Sequence, residues 1–162
     1  MAKEKAKVEE RHSPRLLNRR ARHDYHVLEV VECGIELTGT EVKSLRDGLG
    51  KIDEAYARIQ GRELVLIDCT IPHYAQASPA LQHESARPRK LLVHRRQIEA
   101  LVAHVKQKGK TLVPLALYFK RGWAKVEIGV VIGKKQFDKR EDIKKRDAQK
   151  DIARAMNRRR RE

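Results

Sequence analysis

The apolar residues of this 162-residue chain are concentrated in short segments between Tyr25 and Ile132. The longest apolar run, Leu112–Phe119, has the length of a β-strand and is much shorter than the roughly 18 residues of a membrane-spanning helix. Segments of this length bury their side chains when several strands pair into a sheet. We therefore expect one small domain built mainly from short strands, without a membrane span.

Charge is distributed unevenly along the chain. The sequence holds 37 basic and 22 acidic residues, a net charge of +15, and residues 134–162 alone hold 13 basic and 6 acidic residues, a net charge of +7. Basic ends on a nearly balanced body are typical of proteins that bind a phosphate backbone. We expect a nucleic-acid partner; a solvated basic surface without a specific partner is the alternative.

The pattern divides the chain into three parts. Residues 1–15 lack apolar periodicity and predict a disordered basic arm, residues 16–133 a folded domain, and residues 134–162 a basic tail that is disordered when free. A short helix is expected over Leu16–Arg22. The N-terminus is charged and no apolar segment follows it, so the sequence indicates a cytoplasmic protein without a secretory signal.

Alternating apolar and polar residues predict an antiparallel β fold. Val126 and Ile128 alternate with Lys125 and Glu127, and the spacing of Thr38 and Glu41 is that of a capping box before a short helix. We expect a mainly β fold with flanking helices, a small, partly open antiparallel barrel of OB type with a basic C-terminal tail. The predicted strands are Tyr25–Leu37, Ala55–Ile59, Glu63–Ile71, Leu112–Phe119 and Ala124–Ile132, and the one long helix is Arg95–Lys108.

Catalytic machinery is not evident in the sequence. The seven histidines are scattered without metal-ligand spacing, and Cys33 and Cys69 lie far apart, which is typical of buried thiols in a reducing compartment. We therefore expect no enzyme activity, no metal and no cofactor. Aromatic residues beside basic ones suit RNA instead, and we expect Trp123 and Arg22 to contact it.

Three strings of residues carry a resemblance to a known family. They are N-R-R-A-R-H-D-Y at Asn18–Tyr25, E-C-G-I-E-L-T-G-T-E-V-K-S-L-R at Glu32–Arg46, and G-K-K-Q-F-D-K-R at Gly133–Arg140. Weaker matches at Arg87–Leu92 and Val113–Phe119 extend the likeness to about residues 16–145. The chain resembles the bacterial SsrA-binding proteins, a family also called small protein B.

The resemblance implies a function in ribosome rescue. A member of this family binds the tRNA-like domain of tmRNA and, with elongation factor Tu and GTP, delivers it to stalled ribosomes. Translation then resumes on tmRNA and the nascent peptide receives a degradation tag, a process called trans-translation. We accordingly expect tmRNA, the ribosome and elongation factor Tu as partners of a monomeric protein that does not bind membranes.

The resemblance also assigns site residues by position. It places RNA contacts at Asn18, Glu32, Leu92 and Lys125, with phosphate contacts at three further basic residues. In the tail it implies contacts near the ribosomal decoding centre and a helical conformation on the ribosome. The three phosphate contacts are Arg46, Arg89 and Lys90, and the tail residues are Gly133, Lys134, Lys135, Phe137, Asp138, Lys139 and Arg140.

A second interpretation from another functional class stays open at this point. A structural ribosomal protein can also combine an OB-type body with basic extensions. A structural protein is present on nearly every ribosome, whereas a rescue factor is present on few. Counting copies of the protein in purified ribosomes distinguishes the two.

Overall fold

The computed structural model describes residues 14–159, so most of the predicted N-terminal arm, residues 1–13, lies outside the described residues. The chain divides into two units, residues 1–132 and residues 133–162. We call residues 14–132 the body and residues 133–159 the tail. The strands are β1 (Leu16–Leu17), β2 (Tyr25–Ile35), β3 (Tyr56–Gln60), β4 (Glu63–Ile67), β5 (Arg89–Leu92), β6 (Lys110–Lys120) and β7 (Trp123–Gly133). The helices are α1 (Arg19–Asp24), α2 (Gly39–Arg46), α3 (Arg95–Val105) and α4 (Gln136–Arg159), and a 3-10 turn lies at Pro79–Leu81.

The seven strands form one sheet that closes on itself. Their order is β1-β6-β3-β4-β5-β2-β7, and β6 also pairs with β7, so six strands make a ring to which β1 is added at β6. The described strand registers are antiparallel. The mainly β, antiparallel fold with flanking helices that the sequence predicts is confirmed.

Every strand of the ring contributes buried apolar side chains to one core. In β7 the side chains of Val126, Ile128 and Val130 are fully buried, as expected when alternate residues of a strand point to the same face. Leu45 of α2 and Leu101 of α3 are buried in the same cluster, so both helices pack on the ring.

The β6–β7 hairpin is paired from Lys110, opposite Ile132, to Lys120, opposite Trp123. Its two-residue turn consists of Arg121 and Gly122, whose φ angles of 53° and 82° are both in the left-handed region. The register shifts between Pro114 and Ala116, and this irregularity accommodates a proline inside a long strand.

The beginning of α1 differs from the prediction over Leu16–Arg22. Leu16 and Leu17 pair with β6 as a short strand, and the helix begins only at Arg19. The Oδ1 atom of Asn18 accepts a hydrogen bond from the Ala21 N–H at 2.7 Å, which makes Asn18 the N-cap. The helix prediction was wrong for these two leucines because their strand pairing with β6 is a contact between distant parts of the sequence.

The capping box before α2 is present as predicted. The Thr38 N–H donates to Oε2 of Glu41 at 2.7 Å. Helix α3 ends at Val105, three residues before the predicted end, and Gly109 follows with a φ of +87°. Between residues 14 and 159, no helix combines the length and the apolar character needed to cross a bilayer.

Candidate RNA-binding surface

A groove of about 660 Å³ opens on the body, beside the β6–β7 turn. It brings together three of the predicted RNA-binding residues, because Leu92 of β5 meets Trp123 and Lys125 of β7, a distant part of the sequence. The groove therefore combines an aromatic ring, an apolar side chain and a cation on one surface. Its other lining residues are Gly34, Ile35, Glu36, Leu37, Val42, Phe119, Gly122 and Ala124.

The local backbone explains why Trp123 and Leu92 stand at this surface. Trp123 is the first residue of β7, directly after the tight turn, and 75% of it is exposed. Leu92 ends β5 opposite Gly34 of β2, and a Cβ atom at Gly34 would lie only 3.2 Å from the Cβ of Leu92. The glycine thus permits the close approach that seats the exposed Leu92 in the groove.

Arg46 reaches the same region from helix α2. Its guanidinium carbon lies 5.6 Å from the ring centroid of Phe119, a groove residue, which is within the range of a cation–π contact. Arg46 is exposed, so its charge remains accessible to a phosphate. The structure thus places this predicted phosphate contact at the groove.

Glu32 lies beside Lys125 in a cluster of charged and polar side chains. Its Oε2 atom accepts hydrogen bonds from the Tyr118 hydroxyl at 2.7 Å and from the Lys120 ammonium at 2.9 Å. Its Oε1 atom lies 3.7 Å from Nζ of Lys125. The hydrogen bonds from Tyr118 and Lys120 lower the pKa of Glu32, so the carboxylate is ionised at neutral pH.

Asn18 is buried within the body. Its Nδ2 atom donates to the backbone carbonyls of Ile52 and Pro114, both at 3.0 Å, in addition to the N-cap contact. Only 1% of the residue is exposed. In this conformation Asn18 joins three segments of the fold, and its RNA contact stays a prediction.

Arg89 is also buried, and its guanidinium is part of an ion-pair network. Its Nε atom donates to Oε1 of Glu41 at 2.9 Å, and its other nitrogens donate to the carbonyls of Cys69, Arg87 and Ser85. The side chain is 0% exposed. The structure therefore places Arg89 inside the fold rather than on the groove, and its phosphate contact stays a prediction.

The remaining predicted contacts of the body lie outside the lining of the groove. Lys90 is exposed on β5, and its ammonium pairs with Oε1 of Glu63 at 2.5 Å. Arg22 is exposed on α1. RNA contacts by these two residues stay predictions.

Comparison with known proteins decides the family. The family model described as "SmpB protein" matches residues 15–158, which is most of the chain. The chain belongs to the SmpB family.

Relatives with high identity lead to the same family. The chain is 54% identical over 143 residues to the SsrA-binding protein of Moorella thermoacetica, covering 88% of this chain and 92% of that protein. It is 52% identical over 142 residues to the SsrA-binding protein of Salinispora tropica, covering 88% and 89%. These two matches therefore cover most of this chain and most of each relative.

A solved structure resembles this SmpB-family chain in fold as well as in sequence. It is described as "tmRNA-SmpB: a journey to the center of the bacterial ribosome". Its chain is 49% identical, with a TM-score of 0.65, and the likeness covers 76% of this chain and 86% of that one.

In the tail of this SmpB-family chain, the predicted contact residues lie at the start of α4. Gly133 ends β7, and the Lys135 N–H donates to the Asp138 carboxylate at 3.3 Å, directly before the helix begins at Gln136. The side chains of Phe137 and Lys139 lie outside the described part of the structure. Lys134 and Arg140 complete the set, and the decoding-centre contacts of all seven residues stay predictions.

The residues that hold Glu32 and Arg89 are not among the site residues predicted from the sequence. Tyr118 was not one of them, yet its hydroxyl donates a hydrogen bond to Glu32 from a different strand. Glu41 was interpreted only as half of a capping box, yet it is fully buried between Arg87 and Arg89. The spacing of Tyr118 and Lys120, two apart on one strand, places both on one face and could have indicated the first of these contacts.

The two cysteines are buried and unpaired, as the sequence predicts. Burial raises the pKa of Cys33 to about 12 and that of Cys69 to about 11, so both remain neutral thiols. Among residues 14–159, no group of three or more His, Cys, Asp or Glu side chains is arranged to hold a metal ion.

Proposed function

We propose that this protein binds the tRNA-like domain of tmRNA and delivers it to stalled ribosomes for trans-translation. Membership of the SmpB family supports this proposal, and so does the name SsrA-binding protein that its relatives carry. The groove is the structural observation that carries it. Leu92, Trp123 and Lys125 converge there, and Glu32 and Arg46 lie at its side.

The groove offers each kind of contact by which proteins bind single-stranded RNA or RNA with unstacked bases. The exposed Trp123 ring provides a stacking surface for a base, and Leu92 adds apolar contact. Lys125 and Arg46 supply cations for phosphates. Glu32 supplies a hydrogen-bond acceptor for a base edge. A phosphate cannot use this acceptor, because phosphate oxygens do not donate hydrogen bonds.

The tail serves a different step in this proposal. With a net charge of +7 over residues 134–162, it is attracted to ribosomal RNA. Residues Gly133–Arg140 contact the decoding centre, and the tail is disordered in the free protein and helical on the ribosome. The described helix Gln136–Arg159 is the conformation that binding would stabilise.

In this proposal the protein acts together with partners and catalyses no reaction itself. The protein acts as a monomer, in the cytoplasm, in a delivery complex with elongation factor Tu and GTP. It contributes binding energy and positioning, and it needs neither a metal nor a cofactor. The chemical steps of translation remain with the ribosome.

Filter binding with tmRNA, compared with ordinary tRNA, tests the proposal. Trp123→Ala should weaken tmRNA binding by about 1–3 kcal/mol through the loss of one stacked base, without changing the salt dependence. Lys125→Ala should reduce the slope of log affinity against log salt by about one, because one phosphate contact is lost.

Lys106→Ala is the matched control, since Lys106 is an exposed lysine outside the lining of the groove. It should leave both affinity and slope unchanged. If the wild-type protein binds tmRNA no more tightly than tRNA, the proposed function is wrong. If it prefers tmRNA but both groove variants bind normally, the RNA site is elsewhere on the body.

A further inference from the structure

The two oxygens of the Glu32 carboxylate have different surroundings. Oε2 accepts two hydrogen bonds, from the Tyr118 hydroxyl at 2.7 Å and from the Lys120 ammonium at 2.9 Å. The Oε1 atom has Lys125 Nζ at 3.7 Å, which is an ion pair but is longer than a hydrogen bond. Oε1 therefore keeps capacity to accept a hydrogen bond from an incoming donor.

Tyr118 is itself held in place from the opposite side. The guanidinium of Arg15 lies 5.0 Å from the Tyr118 ring centroid, within cation–π distance. The same guanidinium donates to both carboxylate oxygens of Glu127, at 2.9 and 3.1 Å. Arg15, from the segment before β1, thus packs on the ring and is itself held by Glu127 of β7, and the Tyr118 hydroxyl can hold Glu32 in one orientation.

We propose that Tyr118 is a positioning residue which fixes Glu32 so that Oε1 accepts an N–H from a base edge of the bound RNA. The inference rests on the proposed function, because it requires RNA at the adjacent groove. The cluster makes this position selective for a base edge that presents a donor rather than for a phosphate. The carboxylate repels phosphate oxygens from its own position, and its hydrogen bond with Lys120 occupies a cation that would otherwise bind any phosphate backbone, while Lys125 is left for the phosphate beside the base.

The bases that fit are those with exposed N–H groups. Amino groups of adenine, cytosine and guanine, and the imino N–H groups of guanine and uracil, can donate to a carboxylate oxygen. Lys125 lies in the same groove as Trp123, so a base stacked on the indole ring is brought towards Glu32. Stacking supplies affinity for any base, and Glu32 distinguishes a base edge that presents an N–H group from one that presents only acceptors.

Tyr118→Phe is the decisive variant, because it removes the hydroxyl and keeps the ring over which Arg15 lies. We expect about fivefold weaker binding of a tmRNA transcript, the usual effect of losing one hydrogen bond. Glu32→Gln should weaken tmRNA binding and strengthen binding of an unrelated RNA of equal length. It should also steepen the salt dependence for the unrelated RNA, because Lys120 and Lys125 lose their counter-ion.

The double variant separates positioning from a general structural effect. If Tyr118 acts through Glu32, Tyr118→Phe adds nothing once residue 32 is glutamine. The titration of the Glu32 carboxyl carbon, followed by NMR in the free protein, should move to higher pH in Tyr118→Phe. The charged and titratable groups facing this carboxylate are Tyr118 and Lys120 of β6 and Lys125 of β7, with Arg15 and Glu127 behind the Tyr118 ring.

Tyr56→Phe is the matched control, since it removes a hydroxyl from another tyrosine at a strand position, and it should bind tmRNA like the wild type. Equal losses from Tyr118→Phe in the wild-type and Glu32→Gln backgrounds would overturn the inference. Normal binding by Tyr118→Phe would do the same. Failure of the wild type to prefer tmRNA would instead overturn the proposed function.

Discussion

The body and the tail are both rich in charged residues, but they differ in the burial of their apolar side chains. The body buries apolar side chains from all six strands of its ring in one core. In α4 of the tail, Ile143, Ile152 and Met156 are exposed. The body is therefore stabilised by its own packing, whereas a helix whose described apolar side chains are exposed depends on a partner for its stability.

Ion pairs in the two regions differ in the same way. Glu41 in the body is completely buried between Arg87 and Arg89, at 2.7 and 2.9 Å. In the tail, Asp151 and Arg154 pair at 3.6 Å with both side chains exposed. A solvated pair contributes little to stability, whereas breaking a buried pair leaves an uncompensated charge inside the protein.

Truncation after Ile132 should have the largest effect, and it acts on the tail alone. We expect nearly normal tmRNA binding, because the groove lies in the body, but no tagging of nascent chains on stalled ribosomes. Filter binding and a reconstituted tagging assay measure the two outcomes. Tagging by the truncated protein would show that the tail is only a solvated basic extension.

A chain with residues 134–162 in shuffled order is the control for this truncation. It keeps the net charge of +7 over these residues, but it loses the order of residues within Gly133–Arg140. We expect it to tag poorly as well. Normal tagging by the shuffled chain would mean that charge alone, without specific contacts, accounts for the role of the tail.

Glu41→Ala should have the next largest effect, on the stability of the body. It leaves the buried Arg89 guanidinium without its counter-ion, which costs about 3–5 kcal/mol of unfolding free energy. Urea denaturation measures the loss. Glu63→Ala is the control, because it removes the partner of the exposed Lys90, and a comparable loss there would contradict the importance of burial.

The pH dependence of stability sharpens this prediction. Burial alone would raise the pKa of Glu41, but hydrogen bonds from Arg87 and the Thr38 N–H, with the charge of Arg89, outweigh burial and lower it. A lowered pKa in the folded state stabilises the protein above the ordinary value of 4.5 and ceases to do so as pH falls through the folded value. The difference in unfolding free energy between wild type and Glu41→Ala should therefore shrink in acid.

Asp151→Ala should have the smallest effect, although it also removes a paired carboxylate. Because both partners are exposed, we expect the urea midpoint and the helical circular dichroism signal of the free protein to remain unchanged. A marked loss of helical signal would mean that α4 is already formed in the free protein and depends on this pair. That result would weaken the contrast between body and tail.

Local sequence patterns predicted most of the elements of the body. Alternation over Ala124–Ile132, the Arg121–Gly122 turn and the capping box at Thr38 and Glu41 all depend on residues close together in the chain. The strand at Leu16 and Leu17 was missed because it pairs with residues about a hundred positions away in the sequence, Leu117 and Ala116. Periodicity in a short window carries no information on such a pairing.

The sequence by itself determined the type and position of most elements, the division of charge between body and tail, and the family. Only the tertiary structure decided which candidate residues share one surface. It buried Asn18 and Arg89, and it brought Leu92 and Trp123 into one groove beside Glu32. The physical reason is that burial and hydrogen-bond partners depend on contacts between strands distant in the sequence, which closure of the ring creates.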